Sequence, residues 1–255
     1  MKKLIIILLL AITSSSFAQY RELAVNGLIE YEKSVNTHAI IKKHMVVDDS
    51  RMVQSNIDSY KSRNPQFKIL KSSLRFSRIS SLFSPLPGYE DPYNVLEGHP
   101  YIDQINTVYT DLKLGTFVDQ KKVFEKTFLV KDAVRKIDWK ITTETREIAG
   151  YTCRRANAII MDSVYVVAFY TGEIPVSAGP ESFGGLPGMI LEVVLPHENI
   201  RWYATKVSLQ SSPASDIKVP SKGKIVNHKE LVTILNDVLK NRKAYAGIFF
   251  KGLTL

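Results

Sequence analysis

The sequence predicts an α+β, strand-rich fold: an antiparallel, curved sheet with one or two packed helices. Three observations predict it. Apolar and polar residues alternate with period 2 in several segments, as in Gly27-Leu28-Ile29-Glu30-Tyr31-Glu32, Phe67 to Phe76 and Ile137 to Ile148. Most connections between alternating segments are too short for helical crossovers, which favours antiparallel neighbours. One late segment alone carries a strong helical period. Leu231, Ile234, Leu235, Val238 and Leu239 recur at i, i+3, i+4, i+7 and i+8 behind an Asn227/Glu230 capping-box pair.

Taken in order, the chain opens with a segment built for export. Lys2 and Lys3 precede the apolar run Leu4 to Ile12, and Ser16-Phe17-Ala18 places small residues at the positions a signal peptidase reads. The run is well short of the roughly 20 residues a bilayer span needs. Residues 1–18 are therefore expected to be a signal peptide cut after Ala18, leaving 19–255 as one strand-rich domain. No cysteine lies near the cut, so lipid attachment is not expected, and no transmembrane span is expected after cleavage. With 45% hydrophobic residues and no low-complexity tract, the chain can bury a core. The net charge of +9 comes from Lys and Arg spread along the chain, which reads as a solvated surface. Nucleic acid is not an expected partner of an exported protein.

Strands are expected at Gly27 to Glu32, Ala39 to Val47, Phe67 to Phe76, Thr107 to Leu112 and Val123 to Val130. A helix is expected between Asp49 and Arg63, stopped by Asn64-Pro65. Ser84 to Pro92 reads as a turn-rich connection or flap, because prolines cannot sustain a ladder. The clearest strands follow: Ile137 to Ile148, Tyr151 to Ile160 and Val164 to Tyr170. Met189 to Leu195 and Ile200 to Val207 form a hairpin around Pro196-His197-Glu198-Asn199.

Cys153 is the lone cysteine, so no intrachain disulfide forms; it reads as a small buried hydrophobe rather than a reactive thiol. Arg154 points to the opposite strand face and cannot activate it. His38, His44, His99, His197 and His228 are scattered, with no H-E-x-x-H or C-x-x-C pattern, and no metal site or cofactor is expected. His38 and His44 share a face if their segment is a strand, yet sit too far apart to chelate one ion. The acid pairs Asp48-Asp49 and Glu90-Asp91 read as solvated turn carboxylates. No G-x-S-x-G elbow, Walker A loop or dinucleotide fingerprint occurs, so no catalytic residue is assigned.

The Gly/Pro segment 172–192, GEIPVSAGPESFGGLPGMILE, is the most specific stretch. Pro187 and Gly188 fit the central positions of a type II turn, with Gly188 at positive φ. Such a loop either fixes register between core strands or lets a ligand approach the main chain. Under the second reading Tyr170, Phe183, Gly184, Gly185, Leu186, Pro187 and Gly188 border a binding groove.

The runs Ile148 to Ala156, Ala168 to Thr171, Ile174-Pro175, Gly179-Pro180 and Phe183 to Glu192 together resemble the GLPGLI family of exported proteins, found largely in Bacteroidetes. Met189 stands where the family name has leucine, a volume-conserving difference. The resemblance covers about Trp139 to Val207 and is weaker over residues 19–100. It implies a periplasmic protein but supplies no reaction. A looser similarity suggests the half-barrel of envelope lipoprotein carriers, where a sheet wraps a helix. The expected function is a non-enzymatic binding or accessory protein of the cell envelope, with lipid, peptide or an outer-membrane receptor as partner. The competing expectation is an envelope hydrolase, which requires titratable side chains converging in one pocket.

Overall fold

The computed structural model describes residues 26–44, 51–87, 99–102, 106–210, 217–240 and 246–255. The expected signal peptide, the acid pairs Asp48-Asp49 and Glu90-Asp91, and most of the expected flap after Pro87 lie outside the described residues. Among the described residues, twelve strands form one sheet: β1 (Asn26–Asn36), β2 (Phe67–Phe76), β3 (Ser80–Pro85), β4 (Asn106–Asp111), β5 (Thr116–Val123), β6 (Lys126–Ala133), β7 (Lys140–Ile148), β8 (Tyr151–Ile160), β9 (Val164–Thr171), β10 (Met189–Leu195), β11 (Ile200–Gln210) and β12 (Lys224–Val226). The helices are α1 (Thr37–His44), α2 (Arg51–Arg63), α3 (His228–Leu239) and α4 (Ala246–Thr254).

The sheet order is β12-β6-β5-β4-β3-β2-β1-β11-β10-β9-β8-β7. Each of these pairings is antiparallel except β12 with β6. The sheet is strongly curved. Although β8, β9 and β10 lie between them, β7 and β11 approach within 8 Å between Cα atoms. Bulges at Ile190/Glu192 and Ile141/Thr145 assist this curl, since an unpaired residue bends its strand.

The strict alternation of β1 buries Ile29, Tyr31, Lys33 and Val35 on one face. The apolar members of this set join Phe76, Phe83, Met189, Leu191 and Trp202 in the main core. Cys153 is fully buried there, as its sequence context suggested. A second apolar cluster packs Leu231, Leu235 and Leu239 of α3 and Leu253 of α4 against Val123, Phe128 and Val130. The capping box of α3 is present, with Asn227 Oδ1 accepting from Glu230 N–H at 2.8 Å and Glu230 Oε2 from Asn227 N–H at 2.9 Å.

Three expectations need correction. Residues 39–44 belong to a helix, not a strand. Asn36 Oδ1 accepts from Ala39 N–H at 3.0 Å and starts the helix, overriding the β preference of Ile40 and Ile41. His38 and His44 accordingly do not share a strand face. Val123 to Val130 is not one strand: the chain reverses at Phe124, whose φ is 52°, and Val123 faces Lys126. That turn carries no Gly, Asn, Asp or Pro, so nothing in the sequence announced it. Pro187-Gly188 is not a type II turn. Gly188 N–H bonds back to Leu186 O at 2.8 Å, a γ-turn about Pro187, while Met189 N–H goes to Ile174 O at 3.0 Å.

Candidate functional site

Alternation in β5 turns Phe117, Asp119, Lys121 and Val123 to one face. That face, with β6, α3 and the last turn of α4, encloses a cavity of about 300 Å³, at the lower end of the range for ligand sites. Phe117, Val130, Leu231 and Leu253 give it apolar walls. Asp119, Lys121, Asp132, Arg135, Ser182 and His228 supply polar groups.

Three of these groups hold the end of α4. Lys121 Nζ donates to Leu253 O at 2.7 Å, Arg135 Nη2 to Thr254 O at 2.6 Å, and Ser182 Oγ to Leu255 O at 2.8 Å. The last carbonyls of a helix have no partner within the helix, and its negative dipole end attracts cations. The two cations and the hydroxyl therefore satisfy three successive main-chain oxygens. They come from β5, the segment after β6 and the Gly/Pro loop.

Asp119 is left incompletely paired. Its Oδ2 lies 3.3 Å from Lys121 Nζ, while Oδ1 is buried and has no hydrogen-bond partner. Burial raises its pKa, against the pull of Lys121, so the neutral acid is favoured relative to a solvated aspartate. Nearby, Asn106 Nδ2 donates to Glu181 Oε2 at 3.0 Å. Desolvation raises the Glu181 pKa too, against the attraction of Lys33 and the Asn106 bond. Glu181 also sits at φ 52°, a conformation that L-residues seldom adopt. At the rim, burial and then the Arg135 charge hold His228 below its ordinary value. Asp132, accepting from His228 N–H at 3.0 Å and from Ala133 N–H at 2.8 Å, is held low by those bonds.

A much smaller cavity, about 20 Å³, lies next to the first and shares Leu253 and Leu255 with it. Lys33, Tyr101, Asn106, Glu181, Phe183 and Trp202 border it. Two buried atoms of complementary type, Asn106 Oδ1 and Trp202 Nε1, lack partners there.

The seven residues expected at a groove divide. Phe183 borders the small cavity, its ring 6.1 Å from that of Trp202. Tyr170, Leu186, Gly184 and Gly188 are buried, and Gly185 and Pro187 are exposed. Neither cavity is lined by Gly184 to Gly188. This stretch is instead pinned to its neighbours. Trp139 Nε1 donates to Gly184 O at 2.9 Å, and Gly188 lies so close to β9 that a Cβ would fall 2.1 Å from Thr171 O. The loop reaches the cavities through Glu181, Ser182 and Phe183. Asp119, Lys121, Arg135 and Glu181 were not singled out from sequence. Their one signal was Asp119 and Lys121 two apart in an alternating run, which places both on the same face as Phe117.

Among the described residues, no group of three His, Cys, Asp or Glu is placed to hold a metal ion, and no helix is long and apolar enough to cross a membrane.

Residues 159–192 match a family described as "Protein of unknown function (Porph_ging)". No curated protein matches the sequence. Among solved structures, PNGF-II in a C2 crystal is similar, at 15% identity and a TM-score of 0.50 over 89% of this chain and 33% of that one. PNGF-II in a P21 crystal gives 15% identity and a TM-score of 0.47, over 79% of this chain and 31% of that one. An uncharacterised conserved protein from Thermus thermophilus gives 5% identity and a TM-score of 0.35, covering 78% of this chain and 90% of that one. The chain thus spans about a third of the PNGF-II chains, and the likeness to the C2 structure concerns the fold.

Proposed function

We propose that the protein is an exported, periplasmic, non-enzymatic binding protein of the cell envelope and a member of the GLPGLI family. Its ligand lodges in the cavity between β5, β6, α3 and α4. One observation carries this reading: Asp119, whose Oδ1 is buried without a hydrogen-bond partner, belongs to the wall of a cavity of about 300 Å³. An unmade buried hydrogen bond costs about 1–3 kcal/mol, and a ligand that donates to this oxygen recovers it. Phe117, Val130 and Leu231 offer apolar surface to the rest of the ligand.

The test compares the protein purified from its native envelope with a cavity-filling variant, Leu231→Trp, by non-denaturing mass spectrometry. A bound mass on the wild type that the folded variant lacks is expected. Ligand-free wild type, or equal occupancy in both, overturns the reading. Export is tested separately by fractionation: recovery in the cytosol with residues 1–18 attached contradicts it.

A second reading, an envelope hydrolase, is favoured by a different observation. Asp119 and Glu181 are two carboxyl groups with raised pKa values at adjoining cavities, the pattern of acid–base sites. It expects turnover of an envelope substrate that both Asp119→Asn and Glu181→Gln abolish. Under the binding reading, ligand is recovered chemically unchanged.

A further inference from the structure

The end of α4 is gripped in a way that describes what else the same groove accepts. Three donors on three separate elements meet three successive main-chain oxygens, those of Leu253, Thr254 and Leu255. Leu253 is buried in the apolar cluster under α3, and Gly252 packs against Pro100 and Tyr101. Leu253 and Leu255 form the shared wall of both cavities. The last turn of α4 thus stands between two adjoining parts of one groove. That groove is bordered by the three donors and Asp119 in its larger part and by Trp202 and Phe183 in its smaller part.

We propose that this groove is a peptide-binding site whose resident occupant is the last turn of α4. An external peptide with apolar residues at two alternate positions displaces that turn. Its carbonyl oxygens take over Lys121, Arg135 and Ser182, and one of its N–H groups reaches Asp119. The proposal rests on the cavity being a binding site and names the class of its ligand. An acyl chain does not fit the same features, because it offers no acceptor to the three donors that α4 now satisfies. A peptide restores every one.

The test uses the full-length chain and a fluorescently labelled peptide copying residues 246–255, AGIFFKGLTL. A tethered occupant competes at millimolar effective concentration, so it must be weakened first. Gly252→Val does this, since a Cβ there falls 2.8 Å from the rigid Pro100 ring while the three donors stay in place. Gly252→Val is expected to bind the peptide at least about tenfold more tightly than the wild type. Adding Lys121→Met or Ser182→Ala should then cost about tenfold, the scale of one such hydrogen bond. Absence of saturable binding by folded Gly252→Val, or binding indifferent to Lys121→Met, overturns the proposal. If Gly252→Val does not fold, hydrogen exchange on the wild type decides. Excess peptide must speed exchange of the amides at 252–255, and an unchanged pattern rejects displacement. A non-peptide ligand that Leu231→Trp excludes keeps the cavity as a binding site while rejecting the peptide. An empty cavity in the native envelope together with no peptide binding rejects both.

Discussion

Arg146 Nη1 donates to Glu192 Oε2 at 2.8 Å, joining β7 to β10 across the two strands that separate them. The guanidinium lies 3.5 Å from the centroid of the Phe169 ring on the intervening β9, and Arg201 Nε of β11 donates to Glu192 Oε1 at 2.5 Å. Glu192 is 1% exposed, so it is a buried anion held between two half-exposed cations. The Arg146 bond spans strands that the curl of the sheet brings together, while Arg201 reaches Glu192 from the adjacent strand. Glu192→Gln is expected to lower stability by about 2–3 kcal/mol, below the usual cost of orphaning a fully buried partner because both arginines can turn to water. Urea denaturation measures it. A loss under about 0.5 kcal/mol would show that the bridge contributes little to the curl.

Gly188 and Gly185 make a paired prediction. Both have positive φ, 155° and 86°, but a Cβ at Gly188 falls 2.1 Å from Thr171 O, whereas at Gly185 its closest neighbour is Trp139 Nε1 at 3.6 Å. Gly185→Ala should cost about 1–2 kcal/mol from backbone strain alone. Gly188→Ala must also displace main chain and should cost more than about 4 kcal/mol or prevent folding. Equal thermal midpoints for the two variants would contradict this.

Asp119 sets a pH dependence. Its folded-state pKa is raised above the ordinary 3.8 by burial. Stability linked to this group is therefore fully present below pH 3.8 and is lost as pH rises through the folded-state value. Asp119→Asn cannot ionise at this position. The stability difference, variant minus wild type, should grow more positive as pH is raised from about 4 to 7, read from urea midpoints. A flat or falling difference refutes the assignment.

Cys153 should be silent in the native state. Its side chain is fully buried, and desolvation, followed by the charges of Glu192 and Glu173, pushes the thiol up to about 12 despite Arg146. Alkylation at pH 8 is expected only at the rate at which the protein unfolds, and it should accelerate with urea in step with loss of structure. Rapid labelling of the folded protein is the contrary result.

One ordered water is expected in the small cavity. About 20 Å³ suits a single molecule, and Trp202 Nε1–H and Asn106 Oδ1 are a buried donor and acceptor without other partners. The water accepts from the indole and donates to the amide. A high-resolution crystal structure or water-to-indole cross-relaxation in NMR checks it; a dry cavity contradicts it. Trp202→Phe should remove the water's donor and its density.

Most of the strands, the capped helix α3 and the buried state of Cys153 were legible in the residues alone. Each depends on short-range chemistry: alternation for β1, a run of β-branched and aromatic residues for β9, a capping box for α3, a small apolar side chain within a strand for Cys153. The Gly/Pro loop stood out for the same reason, because its run of glycines and prolines restricts the backbone locally. What that loop touches came from the folded chain. Gly184 answers to Trp139 and Gly188 to Thr171, while Ser182 turns to α4. The inward facing of Asp119 and Lys121, residue types that ordinarily seek solvent, has the same origin: α3 and α4 close over β5 from far along the chain and impose their burial. Residues 39–44 show this limit on a smaller scale, where one cap at Asn36 outweighed the β preference of two isoleucines. Local patterns fix which residues can form a strand, but charge buried between distant elements has no local pattern to betray it.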